Sequence, residues 1–218
     1  MPEADRSMPP RDTPLVVMID DDPLVRGSMD SLFRSVGLET RSHAAAAEVL
    51  ATGLPDRVCC LVVDIRMPQI GGLEFQSRLA EQGVMVPIIF VTGHGDIPMT
   101  VQAMKAGAVD FLSKPFRDQD MLDAVSAAHD RDRRRRRADE RNADHQRRYA
   151  SLTPRERQVM AGVTRGLLNK QVAGELGITE ITVKLHRASL MKKMGVRTLP
   201  DLVRVAEALG TSSQAGAA

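Results

Sequence analysis

Three consecutive acids, Asp20, Asp21 and Asp22, follow one apolar run, and a fourth, Asp64, closes a second run far along the chain. Lys114 follows a later, shorter run. Carboxylates and a lysine spaced in this way meet the requirements for moving a phosphoryl group onto an aspartate. A carboxylate attacks phosphorus well only when a divalent cation neutralises the clustered charge and a further cation balances the transferred oxygens. Asp20 and Asp21 supply hard oxygen ligands for Mg2+, and Asp64 supplies another while acting as nucleophile. Lys114 is placed to reach the phosphoryl oxygens. Thr92 ends its own run with a hydroxyl, and Gly93 leaves room beside it for a bulky acyl phosphate. Taken alone, adjacent acids after a strand are more often caps or loop acids. The joint placing of Asp64, Thr92 and Lys114 reverses that preference.

Four short apolar runs position these groups: Leu15–Ile19, Cys59–Val63, Ile88–Thr92 and Val109–Leu112. Each is separated from the next by helix-like sequence, which predicts βαβ units and a parallel sheet buried on both faces. Ligands of such sheets collect at the carboxyl ends of the strands, where all these polar residues fall.

The chain has 218 residues, enough for two domains, and its 43% hydrophobic content supports packed cores. Aromatic residues make up 3%, with no Trp, which argues against a base-stacking platform for single-stranded nucleic acid. No apolar stretch approaches the roughly 18 residues of a membrane span, and Met1 to Pro14 is polar and Pro-rich, so a soluble, cytoplasmic protein without membrane contact is expected. Adjacent Cys59 and Cys60 have neither zinc-site nor disulfide spacing and read as small core residues. Charge is divided unequally. Residues 1–128 carry 11 Lys and Arg against 18 Asp and Glu, a net of −7, whereas residues 129–149 carry +4 and residues 150–218 carry +5. An acidic half joined to a basic half points to nucleic acid as the partner of the C-terminal part.

Between them lies His129–Tyr149, almost without apolar side chains but rich in helix formers and free of Gly and Pro. Lacking an apolar stripe, it is expected to be a solvated helical linker continuing a helix over Gln119–Ala128. Arg133–Arg137 could alternatively be a phosphate-contacting arm, although charge runs are more often solvated surface. Thr153-Pro-Arg-Glu156 is a capping box that starts a helix running to about Arg165, before Gly166. A second helix over Lys170–Leu176 stops at Gly177, and Thr179 caps a third, Glu180–Met194, ended by Gly195. Leu199–Leu209 supplies a fourth. On the third, Val183, Arg187, Leu190 and Met194 share a stripe, with Glu180, Lys184, Leu185, Ala188 and Lys192 away from it. Two short helices joined by a Gly-containing turn, the second with an exposed basic face, predict a helix-turn-helix.

Two resemblances add to this reading. Ile19-Asp-Asp-Asp22, Val63-Asp-Ile-Arg-Met-Pro68, Val91-Thr-Gly-His-Gly-Asp96, Ala103 through Leu112 and Lys114-Pro-Phe116 resemble, in order, the motifs of a receiver domain of two-component response regulators, over residues 15–128. Leu152 to Arg157, Asn169 to Ala173 and Ile181 to Arg187 with Lys193-Met194 resemble the LuxR-type (NarL-like) DNA-binding domain over residues 151–210. Together they look most like the FixJ subfamily of transcription activators.

The resemblance implies a doubly wound, flavodoxin-like α/β receiver with a five-stranded parallel sheet, followed by an all-α tetrahelical helix-turn-helix domain. The expected divisions are receiver 13–128, linker 129–149, DNA-binding domain 150–210 and a frayed tail from Thr211. Asp64 is implied as phosphoacceptor for a partner histidine kinase, assisted by Thr92 and Lys114. Mg2+ is implied on Asp20, Asp21, Asp64 and the Arg66 backbone carbonyl. Thr92 and Phe111 are the implied switch pair, and Val101 and Lys105 the implied face for a homodimer formed on phosphorylation. Promoter DNA is expected to meet Thr182, Lys184, Leu185, Arg187, Ala188 and Lys192, and RNA polymerase is a candidate further partner. Ala188 departs from relatives that place a second basic reader there, so base preference transfers less well than fold. A non-enzymatic regulator is expected. An aspartyl-phosphate hydrolase, the rival enzyme, usually has a second acid two residues after the nucleophile, where this chain has Arg66. A DNA-binding protein with a vestigial receiver is the other rival.

Overall fold

The computed structural model describes residues 13–93 and 97–211. The chain divides into two compact units, with the division between Arg136 and Arg137. In the first unit the order is β1 (Leu15–Ile19), α1 (Pro23–Ser35), β2 (Glu39–His43), α2 (Ala46–Thr52), β3 (Cys59–Asp64), α3 (Gly72–Glu81), β4 (Ile88–Thr92), α4 (Ile97–Lys105), β5 (Asp110–Ser113) and α5 (Asp118–Ala150). All strand pairs are parallel, in the order β2-β1-β3-β4-β5. Alternation along β1 sends Leu15, Val17 and Ile19 into one core with Leu61, Val63, Phe75 and Phe90. Val16 and Met18 enter a second core with Phe33, Cys60, Val62 and Met121 on the opposite face. Two-sided burial explains why these strands are continuous apolar runs. Strand β2, Glu-Thr-Arg-Ser-His, is a half-buried edge strand and has no such run.

Both cysteines are buried, as expected of core residues, and burial pushes the Cys59 thiol up to about 11 and the Cys60 thiol well above its ordinary value. Protonated thiols of this kind are poor nucleophiles and metal ligands.

Helix α5 is where the structure departs most from expectation. It runs unbroken across the division of units, and the part expected to be fully solvated buries two polar residues. His129 places its Nε2 3.0 Å from the Leu15 carbonyl and 3.4 Å from Cys60 Sγ. Burial holds its imidazole pKa below the ordinary range. Asp132, with no exposed surface, accepts from the Cys59 amide at 3.1 Å, from Arg135 at 2.7 Å and from Arg136 at 2.8 Å. A charge can be buried there because it is fully hydrogen-bonded and paired. The two contacts reach the amino-terminal ends of β1 and β3, so the first unit continues past Ala128.

The second unit packs α6 (Pro154–Thr164), α7 (Asn169–Leu176), α8 (Glu180–Met194) and α9 (Leu199–Ala208) with the end of α5. Its core includes Val159, Met160, Val183, Leu190, Met194 and Leu202. Thr153 and Glu156 form the expected reciprocal capping box, and buried Glu156 also accepts from Ser189 at 2.6 Å and Lys193 at 2.7 Å, tying α6 to α8. Gly195 ends α8 at φ +69°, where a Cβ would meet Arg148 Nη1 at 1.6 Å. Arg148 is held there by Asp144 at 2.6 Å and by the Met194 carbonyl at 3.3 Å.

Candidate functional site

Neighbouring strands β1 and β3 deliver the acids, because the sheet order changes direction between them and leaves an open end. Asp20 follows β1 and Asp64 ends β3; both are buried, while Asp21 is exposed. One carboxylate oxygen from each of the three lies within 4.8 Å of the others. Asp20 also turns the chain, accepting from the Asp22 amide at 2.9 Å, and Asp22 caps α1 through the Leu24 amide at 2.8 Å. Asp22 is therefore the capping acid of the triplet, and Asp20 and Asp21 are left for the site.

Lys114, after β5, donates to Asp20 Oδ2 at 2.6 Å and to Asp64 Oδ2 at 3.0 Å. Burial opposes its charge, but the hydrogen bonds to Asp20 and Asp64 outweigh that and hold its pKa above the ordinary lysine value. Asp64 Oδ1 accepts from the Arg66 amide at 3.1 Å. The loop beyond is close-packed: a Cβ on Gly72 would sit 2.6 Å from the Asp64 carbonyl oxygen. Three carboxylates at this separation form a hard oxygen donor set of the kind that Mg2+ takes.

Thr92 is fully buried at the end of β4, and its carbonyl accepts from the Lys114 amide at 2.8 Å. Parallel register sets Phe90 beside Phe111 and Thr92 beside Ser113, so Thr92 and Phe111 lie on one face of the sheet. Half-buried Phe111 packs on the core of that face. His94, Gly95 and Asp96 of the quoted motif lie outside the described residues. On α4, Ala103 is buried, whereas Val101 and Lys105 are exposed together with Ile97 and Met104. Ile97 and Met104 carry the i, i+4, i+7 spacing that could have marked them beside Val101.

Helix α8 presents Lys184, Leu185, Ala188 and Lys192 on its exposed face. Lys184 pairs there with Glu180 at 3.1 Å. Ile181 belongs to the same face, 71% exposed, and was missed because an isoleucine beside buried Val183 reads as core. Two further expected contacts, Thr182 and Arg187, have partners within the second unit. Arg187 is half-buried and donates to Asn169 of α7 at 3.1 Å, as its place in the apolar stripe implies. The Thr182 hydroxyl lies 2.9 Å from that of Thr179, within the α8 cap.

Residues 16–126 match the family model of the response regulator receiver domain, and residues 150–206 match that of bacterial regulatory proteins, luxR family. The chain belongs to the luxR-type response regulators. Nodulation protein W of Bradyrhizobium diazoefficiens is 54% identical over 91% of this chain and 88% of its own length. The transcriptional regulatory protein FixJ of Azorhizobium caulinodans is 43% identical over 90% and 93%. The solved structure of the response regulator StyR is similar with a TM-score of 0.80 and 46% identity, covering 89% of this chain and 98% of that one. As a response regulator of this group, the chain is a two-component transcriptional regulator. Among the described residues no helix is long and apolar enough to cross a membrane.

Proposed function

We propose that Asp64 accepts a phosphoryl group from a partner histidine kinase and that the modified protein dimerises and binds promoter DNA. The carrying observation is Lys114 bridging Asp20 and Asp64 beside a third carboxylate. Asp64 attacks the phosphorus in line, and the donor imidazole leaves with the bonding pair. Asp20, Asp21, Asp64 and the Arg66 carbonyl would hold Mg2+, which would supply positive charge against the charge that builds up. Lys114 exchanges its contact with Asp64 for the transferred oxygens, and Asp20 keeps its ammonium in place. Phosphorylation adds roughly −1.5 to −2 charge, answered by Lys114 and by the Thr92 hydroxyl turning inward, with Phe111 following on the same sheet face.

The exposed Ile97, Val101, Met104 and Lys105 face of α4 is the proposed dimer surface, with phosphorylation and dimerisation sharing the work of the switch. Lys184, Leu185, Ala188 and Lys192 face the major groove, with Thr182 beside them in the exposed cap of α8 and Arg187 bound to α7. The receiver occupies residues 13–136, the remaining linker 137–149 and the DNA-binding domain 150–210. The protein is cytoplasmic and acts as a regulator without turnover of its own, with RNA polymerase as a further partner.

The test is labelling by a small acyl-phosphate donor in Mg2+, followed by sedimentation and promoter binding with and without the donor. Asp64→Asn should abolish labelling, and Asp21→Ala should do so through lost metal affinity without unfolding the domain. Stoichiometric labelling of Asp64→Asn removes Asp64 from the role. Equal DNA affinity with and without the donor favours a vestigial receiver, and sustained hydrolysis of small phosphomonoesters favours a phosphatase.

A further inference from the structure

Four arginines of α5 are left without a role: Arg131, Arg134, Arg137 and Arg141, all exposed. Their spacing of three, three and four residues puts them on one helix face over about 15 Å of axis. The other arginines of the segment are engaged with acids. Arg133 pairs with Asp130 at 3.0 Å, Arg135 and Arg136 with Asp132 at 2.7 and 2.8 Å, and Arg147 and Arg148 with Asp144 at 3.3 and 2.6 Å. Among the described residues no acid pairs with any of the four, and the helix thus sorts its cations into a neutralised set and an unneutralised row.

The chemistry of the row selects its partner. Between Asp130 and Arg148 the only apolar side chains are Ala138 and Ala143, so the surface lacks the apolar or aromatic centre on which a protein interface is built. Guanidinium groups, with planar donor forks, suit phosphate oxygens. The same helix ends in the second unit, where Tyr149 packs into the core and Arg148 holds the end of α8. We infer that Arg131, Arg134, Arg137 and Arg141 bind the phosphate backbone of duplex DNA, a sequence-independent contact that supplements base reading by α8. The inference rests on the reading of the second unit as the DNA reader.

The experiment measures binding of the full chain, treated with an acyl-phosphate donor, to a random-sequence duplex of about 30 base pairs as salt is raised. Each lost phosphate contact lowers the slope of log K against log salt by about 0.9, so Arg134→Gln with Arg137→Gln and Arg141→Gln should lower it by two to three units per bound protomer. A control with the same change of net charge replaces the acid-paired Arg117, Arg133 and Arg147 by Gln and should lower it by less than one. Gln preserves helix propensity, so α5 should persist by circular dichroism. If Lys192→Ala lowers the slope and the triple variant does not, the inference fails while α8 remains the reader. If the parent shows no salt-dependent DNA binding, both fail. If the triple variant loses self-association at an unchanged slope, the row faces an acidic protein surface and the inference is overturned.

Discussion

Replacing Glu156 by Gln isolates one buried charge in the DNA-binding unit. Its carboxylate accepts from the Thr153 amide at 2.8 Å, Ser189 at 2.6 Å and Lys193 at 2.7 Å, with only 3% of the residue exposed. Burial raises its pKa, but Lys193, Ser189 and Thr153 together bring it down to about 2 from 4.5. At about 1.36 kcal/mol per pKa unit this is about 3 kcal/mol of stabilisation by the ionised form. Solvent around the partly exposed Lys193 screens the pair, leaving about 2 kcal/mol. The folded pKa is depressed, so this contribution is fully present above pH 4.5 and is lost as pH falls towards 2. Tyr149 is the one tyrosine, there is no Trp, and Tyr149 packs against the core of the second unit, so tyrosine fluorescence reports unfolding of that unit within the intact chain. For an m of about 1.5 kcal/mol/M, Glu156→Gln should lower the urea midpoint at pH 7 by roughly 1.3 M. The gap between parent and variant should narrow below pH 4.5 and close as pH falls through about 2. A variant within about 0.5 kcal/mol of the parent at pH 7, or a gap independent of pH, refutes the assignment of this energy to the charge.

Val101→Asp places a charge on the exposed α4 face and should keep the phosphodonor-treated protein monomeric in sedimentation while labelling of Asp64 proceeds; dimerisation as tight as in the parent clears α4 of the role. Lys184→Ala should reduce discrimination between promoter and random duplex, whereas Lys192→Ala should weaken both equally and lower the salt slope by about one unit. Unchanged affinity and slope in both variants would take α8 out of the groove. Gly195→Ala should destabilise the second unit by about 2 kcal/mol, part from the positive φ and part from displaced Arg148. In an Arg148→Ala background the same substitution should cost only about 1 kcal/mol; strict additivity by tyrosine fluorescence shows that the two positions do not interact.

Legibility in the sequence followed how each element is stabilised. Strands β1, β3 and β4 are buried on both faces and therefore stand out as apolar runs, which located Asp20, Asp21, Asp64 and Thr92 together. Helix α8 was bounded correctly because Thr179 and Gly195 are local start and stop signals. Strand β2 was not localised, because an edge strand of Glu, Thr, Arg, Ser and His is held by backbone pairing to β1 and carries no hydrophobic signature. The buried stretch of α5 was read as solvated for a related reason: His129 and Asp132 are buried by polar contacts that reach the Leu15 carbonyl, 114 positions away, and the Cys59 amide, 73 positions away. Periodicity sees only apolar burial. Arg187 shows the converse, since its place in the stripe of Val183, Leu190 and Met194 already pointed inward, and the resemblance alone made it a DNA contact.

The polar anchor at the base of the sheet also decides where this protein can be cut and recombined. A receiver excised at Ala128 keeps every residue of the proposed phosphoryl site yet leaves the Leu15 carbonyl and the Cys59 amide without the partners that His129 and Asp132 provide. Those two strands begin where the anchor sits, β1 leading into Asp20 and β3 ending at Asp64. A chimera joined at or beyond Arg136 therefore keeps both contacts, whereas insertions within residues 129–136 fall inside the first compact unit.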